Sequence, residues 1–235
     1  LVLPETGYGT PNKLIDKEGL RFWFAQDQQF FSPKGDIYIS FDMAAFSSSL
    51  AAVAAKRIWL SALNDYLQAK YYRAEIAGLH YRIYGHQAGF TIHTRGFTEQ
   101  QTLLVNQLLD AVTAFSPTQK SFEHYKELQL QSLQNSLLNK PTNRLFSRLS
   151  VLIQRNTQAP IELLDAVTHS TYEAMLATCK DAFSHYYVDS FMHGNWSLEH
   201  ANTFADALVT QCTNANGKPL SRAVSKLSAG EALYH

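Results

Sequence analysis

Histidine and cysteine give a chain its widest range of ligand and proton-transfer chemistry, and nine histidines and two cysteines are spread over these 235 residues. His80 and His93 fall in two alternating runs, residues 79–84 and 90–95, that read as the strands of a hairpin around Gly85-His86-Gln87-Ala88. If Tyr84 pairs with Gly89, the two imidazoles stand opposite each other. A zinc site needs three or four ligands and no carboxylate sits beside this pair, so two solvated histidines on a sheet face are the expectation. His185 and His193 bracket a further strand about 25 Å apart at roughly 3.3 Å per residue, too far to share a ligand. His124-Tyr125-Lys126-Glu127 has no second histidine where a zinc-helix motif requires one. His169 lies beside a helix cap and His200 in a first helical turn, where local hydrogen bonding is the rule. Cys179 and Cys212 are each embedded in a helical pattern and do not suggest a disulfide framework. There is no Gly-x-Ser-x-Gly elbow, no Gly-rich phosphate loop and no Cys-x-x-Cys. The residues taken alone assign no catalytic group and no metal ligand.

Composition narrows the partners further. Twenty basic and twenty acidic residues cancel, so no global field favours nucleic acid or an anionic membrane. No apolar run approaches the roughly 18 residues that span a bilayer. At this length the chain suits one large domain or two small ones.

The elements that would position a site follow from periodicity. Residues 21–25 and 36–41 alternate as two strands, and Ser32-Pro33-Lys34-Gly35 supplies turn chemistry between them, which predicts an antiparallel hairpin. Phe22, Phe24, Ile37, Ile39 and Phe41 share a core face. Trp23 points the other way with Arg21, Ala25, Tyr38 and Ser40, either as an isolated exposed ring or as a contact with something outside the chain. A helix begins after Ser47-Ser48-Ser49 on Leu50, Val53, Leu60, Leu63 and Leu67 and runs to about residue 69. Capping boxes are predicted at Thr98-Glu99-Gln100-Gln101 and Ser116-Pro117-Thr118-Gln119. The first opens a helix with Leu103, Leu104, Leu108, Ala111, Val112 and Phe115 inward, the second a long helix to Lys140-Pro141. Helices follow over 142–153 on Leu145, Leu149 and Leu152, from Pro160, and from Ser170-Thr171. A strand at 186–193 precedes a last helix capped by Ser197. Residues 1–19 read as an N-terminal approach segment or linker, 20–212 as one domain, and 213–235 as a C-terminal strap or linker. Hairpin, helix, hairpin, helical run, strand and helix make an α+β fold, an antiparallel sheet with helices packed on one face.

Five segments also carry a resemblance. Leu20-Arg21-Phe22-Trp23-Phe24 with Asp27, Phe30-Phe31-Ser32-Pro33-Lys34, Tyr72-Arg73-Ala74-Glu75-Ile76-Ala77-Gly78-Leu79, Gly89-Phe90 with Arg95-Gly96-Phe97, and His193-Gly194-Asn195 resemble, in this order, the third domain of the pitrilysin and insulysin type zinc peptidases, family M16. The resemblance implies a larger protein of four related α+β domains in two halves around a chamber. Its first domain carries an inverted His-x-x-Glu-His on a helix. The corresponding helix here reads Ala55-Lys56-Arg57-Ile58-Trp59-Leu60-Ser61-Ala62-Leu63-Asn64-Asp65, with no histidine, so zinc is expected in the parent protein and no cofactor in this piece.

On that resemblance the chain is expected to be a non-catalytic middle domain of a metalloprotease that helps to enclose the peptide-degradation chamber and to hold the other domains. Phe31, Pro33, Lys34, Tyr72, Ala74, Gly78, Gly194 and Asn195 are structural signature positions, and Trp23 is a contact with a neighbouring domain. The implied partners are the other domains of the same polypeptide and peptide substrates inside the chamber, with no nucleic acid and no membrane span. A bacterial source would imply a periplasmic or secreted location. A degenerate relative kept as a structural or assembly protein is the alternative, and a free-standing peptide-binding module with an open sheet edge is the third reading.

Overall fold

The computed structural model describes residues 10–154, 157–221, 224 and 230. Six strands form one sheet: β1 Asn12–Lys17, β2 Leu20–Gln26, β3 Lys34–Asp42, β4 His80–His86, β5 Gly89–Phe97 and β6 Tyr187–Gly194. The helices are α1 Leu50–Ile76, α2 Thr98–Ala114, α3 Gln119–Leu137, α4 Pro141–Ile153, α5 Pro160–Thr168, α6 Tyr172–Ser184 and α7 Leu198–Gln211. The α+β class and the packed helices are as expected from the sequence.

The core face of the sheet also stands as read. Phe22, Phe24, Ile37, Ile39 and Phe41 are buried, joined by Phe90, Ile92, Val188 and Met192. Alternation places them on one side of the pleat, against the helices. Trp59 of α1 is fully buried and centres an aromatic cluster, its ring 5.8 Å from Phe46, 5.6 Å from Phe90 and 5.5 Å edge-on to Phe183. Each such pair adds about 0.5 to 1.5 kcal/mol beyond the area it buries. Ser49 caps α1 by accepting a hydrogen bond from the Ala52 amide at 3.1 Å. The helix runs past residue 69 to Ile76, with one non-helical residue at Tyr71.

The hairpin expected between residues 21–25 and 36–41 does not form. The strand order is β1-β2-β6-β3-β5-β4. β6 lies between β2 and β3, parallel to the first, where Phe22 meets Ser190, and antiparallel to the second, where Ile39 meets the same serine. One parallel pair therefore interrupts an otherwise antiparallel sheet. The segment joining β2 to β3 crosses the end of β6 instead of reversing. The Asp27 amide donates to the Gly194 carbonyl at 2.8 Å and the Asn195 amide to the Lys34 carbonyl at 3.3 Å. That crossing spans two strand spacings, about 9.6 Å, too wide for a tight turn.

Other local expectations shift by one or two residues. In the β4–β5 hairpin His86 pairs with Gly89, so the turn is Gln87-Ala88, and His93 faces Arg82 while His80 faces Arg95. A shift of two keeps each side chain on its predicted face but separates the two histidines. Thr98 is the first helical residue of α2 rather than its cap, and Gln101 turns inward to donate to the Thr94 carbonyl and hydroxyl, each at 2.9 Å. Thr118, not Ser116, caps α3, accepting from the Ser121 amide at 3.2 Å. Leu50, Leu103, Leu145 and Leu149, expected inward, are exposed.

The packed unit reaches beyond residues 20–212. Asn12–Lys17, expected as approach segment, is the edge strand of the sheet, while residues 1–9 lie outside the described residues. After α7 the chain crosses the start of β6, where the Gly217 amide donates to the Tyr186 carbonyl at 2.8 Å, and the Leu220 amide then donates to Asp42 Oδ2 at 3.0 Å.

Candidate functional site

Most of the signature residues meet at one end of the sheet. Directly after β2 comes Asp27, which is buried and accepts hydrogen bonds at Oδ1 from the amides of Gln29 at 3.0 Å and Phe30 at 3.1 Å. Burial pushes this carboxyl up, but the amide hydrogen bonds, with the charge of His193 behind them, prevail and hold it below the usual carboxylate range. The capped turn carries Phe31 into a left-handed backbone with φ 51°, which costs a side-chain-bearing residue about 1 to 2 kcal/mol. Pro33 follows, and its carbonyl accepts from the Thr98 amide at 3.2 Å, tying the loop to the start of α2.

Lys34 opens β3, with Nζ 5.2 Å from the Phe97 ring centroid, a cation–π contact. Beneath it Gly35 and Gly194 face each other under the buried indole of Trp196, whose Nε1 donates to the Thr98 carbonyl at 3.3 Å. A Cβ at Gly35 would sit 2.2 Å from the Trp196 ring, and one at Gly194 would sit 2.4 Å from the Gly35 Cα. Phe97 then links this cluster to α1: a Cβ at Gly78 would lie 3.6 Å from its ring, and Gly78 takes φ 81° where α1 ends. Phe31, Pro33, Lys34, Gly78, Gly194 and Asn195 thus occupy one neighbourhood. Tyr72 and Ala74 stand apart on the last turns of α1, Tyr72 exposed and Ala74 partly buried with its carbonyl accepting from the Leu79 amide at 3.0 Å.

This cluster fastens β2, β3, β6, α1 and α2 to one another and contains no nucleophile with a free base. The Ser197 hydroxyl lies 2.7 Å from His200 Nδ1, but the same oxygen caps α7 by accepting from the His200 amide at 3.2 Å. Two other histidines are held by carboxylates. His80 contacts Glu75 at 2.7 Å, and His93 contacts Asp36 at 2.7 Å while stacking on Tyr38 with ring centroids 4.1 Å apart. Cys179 and Cys212 are buried and free, and burial pushes both thiols up to about 12, out of the reactive range.

The first half of α1, the helix expected to match a zinc helix, does not suit zinc. It turns Lys56 and Arg57 toward a cavity of about 440 Å³. Ammonium and guanidinium groups donate hydrogen bonds and carry no lone pair for a metal, so these residues do not fit zinc. Among the described residues no group of three or more His, Cys, Asp or Glu side chains could hold a metal ion.

Trp23 lies half-buried on the opposite side of the sheet from the core. Lys13 Nζ and the Arg21 guanidinium cover its ring at 5.2 and 5.6 Å, and Arg21 makes a two-point contact with Asp189 at 2.6 and 3.1 Å. Its neighbour across the strand is Phe191, followed by Tyr38. Sequence reasoning did not find Gly35, Phe97 or Trp196 as parts of the cluster. Local pattern marks Gly35 as a turn residue, whereas Phe97 comes beside Lys34 through the β3–β5 pairing and Trp196 reaches Gly35 because β6 lies beside β3, neighbours that no local pattern reports. Among the described residues no helix is long and apolar enough to cross a membrane.

Comparison with known proteins gives this arrangement a setting. Residues 4–166 match the family model described as the middle or third domain of peptidase M16. The chain is 31% identical over 232 residues to an insulin-degrading enzyme of Drosophila melanogaster, covering 94% of this chain and 23% of that protein. It is 25% identical over 191 residues to the A-factor-processing enzyme of Saccharomyces cerevisiae, covering 81% of this chain and 19% of the relative. The chain therefore spans about a quarter or less of the length of these relatives. The crystal structure of pitrilysin shares the fold, with a TM-score of 0.83 at 19% identity over 91% of this chain and 23% of the other.

Proposed function

Because the chain belongs to the family of middle or third domains of peptidase M16, we propose that it is a non-catalytic part of a zinc metalloendopeptidase. It helps to wall the chamber in which peptides are cut and holds the other domains in position. The zinc and the groups that activate its water would belong to another domain of the same polypeptide, since α1 carries no histidine.

The observation that carries this reading is the uncovered face of α4. Leu145, Phe146 and Leu149 leave 65%, 65% and 43% of their surface exposed, no residue of the helix is buried, and Leu138 before it and Ile161 after it are exposed as well. A helix with one apolar face ordinarily covers it. The relatives, some four times longer than this chain, have the additional polypeptide to do so.

The test is to express the chain and the remainder of the polypeptide separately and measure their association by calorimetry. A Leu145→Glu/Phe146→Glu double variant should melt within a few degrees of the parent chain, since neither side chain is buried, yet bind the remainder at least about tenfold more weakly. Unchanged association would remove α4 from the domain contact and with it the main support for the reading. Zinc analysis of the full-length polypeptide separates the enzyme from a degenerate assembly protein: one tightly held zinc is expected for the enzyme and none for the assembly protein.

A further inference from the structure

A pair of cations that the proposed function leaves unused lies where α1, α3, the β4–β5 turn and the segment leading into α5 meet. We infer that the cavity of about 440 Å³ at this junction is a binding site for a phosphate group, held by Lys56 and Arg57.

Lys56 is only 5% exposed, and its Nζ donates to the His86 carbonyl at 2.7 Å. Arg57 follows it on the helix and donates from Nε to Gln129 Oε1 at 3.2 Å, while Gln129 Nε2 donates onward to the Ser61 hydroxyl at 2.8 Å. These contacts are with neutral groups. No aspartate or glutamate is among the described residues that line the cavity. Burial, and then the charge of Arg57, pull the Lys56 ammonium down to about 8, and burial lowers the Arg57 guanidinium. A buried ammonium beside a half-buried guanidinium, with no counter-ion among the described residues, is costly, and an anion entering the cavity would relieve both.

Charge and its placement select the anion. A single carboxylate supplies one negative charge and leaves one cation uncompensated, and a dicarboxylate such as succinate divides two charges between the ends of a flexible chain, whereas a phosphate group concentrates about −1.5 to −2 at neutral pH in one group with three strong acceptor oxygens. The ammonium offers a point charge and the guanidinium a planar pair of donors, the two forms in which side chains bind phosphate. On the rim Gln87 is held in place by hydrogen bonds from Nε2 to Gln154 Oε1 and Thr157 Oγ1, both at 3.1 Å.

The test titrates the purified chain, in phosphate-free buffer at constant ionic strength, with inorganic phosphate, glycerol 3-phosphate and succinate by calorimetry. Saturable one-to-one binding of phosphate or of its ester is expected, with succinate weaker. A preference for the ester would identify a phosphorylated metabolite as the ligand, and a preference for phosphate the free ion. Lys56→Met and Arg57→Met should each weaken binding by at least about tenfold, while Lys70→Met, at an exposed position on the same helix, should leave it unchanged. Should one variant fail to fold, the other and the wild-type titration still decide. No saturable binding, equal affinity in the Lys56 and Arg57 variants, or succinate binding as tightly as phosphate would each overturn the assignment.

Discussion

Replacing Gly194 by alanine tests whether the signature cluster is held by close backbone contact. Gly194 takes φ 147°, in a region that side chains rarely adopt, and occupying it with a Cβ costs about 1 to 3 kcal/mol. The added carbon would also stand 2.4 Å from the Gly35 Cα, 2.7 Å from the Lys34 carbonyl oxygen and 3.0 Å from the Trp196 ring. The first two are backbone atoms of the neighbouring strand and cannot swing aside, so overpacking adds about 1 to 3 kcal/mol. The sum, about 2 to 6 kcal/mol, is a large share of the 5 to 15 kcal/mol that stabilises a typical domain. At about 2 to 4 °C per kcal/mol for a chain of this size, Gly194→Ala should melt roughly 5 to 20 °C below wild type by circular dichroism. Gly85→Ala is the internal comparison. Its φ is not in the positive range, and its Cβ would meet the flexible end of Leu60 at 3.0 Å, so a change within about 1 kcal/mol is expected. A Gly194→Ala chain that melts with wild type would show that β3, β6 and Trp196 are not in the close contact described.

Two further perturbations follow from the same region. Asp27→Asn should lower stability at neutral pH by about 1 to 2 kcal/mol, the usual cost of a lost cap. Because the carboxyl is held below its unfolded value, its contribution is present above that value, near 3.9, and disappears as pH falls through the folded one. Urea titrations should therefore show the gap between wild type and variant closing from pH 5 downward, and a gap independent of pH would contradict the ionised cap. Trp23→Ser should change the melting temperature of the isolated chain by only a few degrees, since the indole lies outside the core under Lys13 and Arg21. It should weaken association with the remainder of the polypeptide, and a large stability loss in the chain alone would count against an interdomain role.

Which faces are buried was legible in the sequence because side-chain alternation and helical periodicity are local. Phe22, Phe24, Ile37, Ile39 and Phe41 are buried as alternation requires, and the Ser49, Thr171 and Ser197 caps each accept an amide hydrogen bond within their own first turn. The β4–β5 hairpin, whose strands are adjacent in sequence, was legible, but the neighbours of β2 were not. A Ser-Pro-Lys-Gly sequence signals a turn, yet β6, more than 140 residues later, enters between β2 and β3, because that choice is made by burial of Val188 and Met192 in the assembled core. The same limit explains α4, whose leucines have helical spacing that cannot report whether a partner covers them. The signature residues were found through resemblance, while their convergence on Phe97 and Trp196 came only from the fold. Lys56 and Arg57 read as ordinary polar positions on a helix, since nothing local tells a buried cation from a solvated one.

The central assignment, a non-catalytic domain within a peptidase, is tested most directly by hydrolysis of an internally quenched fluorescent peptide. The chain alone and the full-length polypeptide are compared at equal molar concentration with zinc supplied. The full-length polypeptide should cleave the peptide and lose activity on chelation, and the chain alone should show none above buffer, since Lys56 and Arg57 line the cavity beside α1. Chelator-sensitive cleavage by the chain alone, or none by the full-length polypeptide, would contradict it.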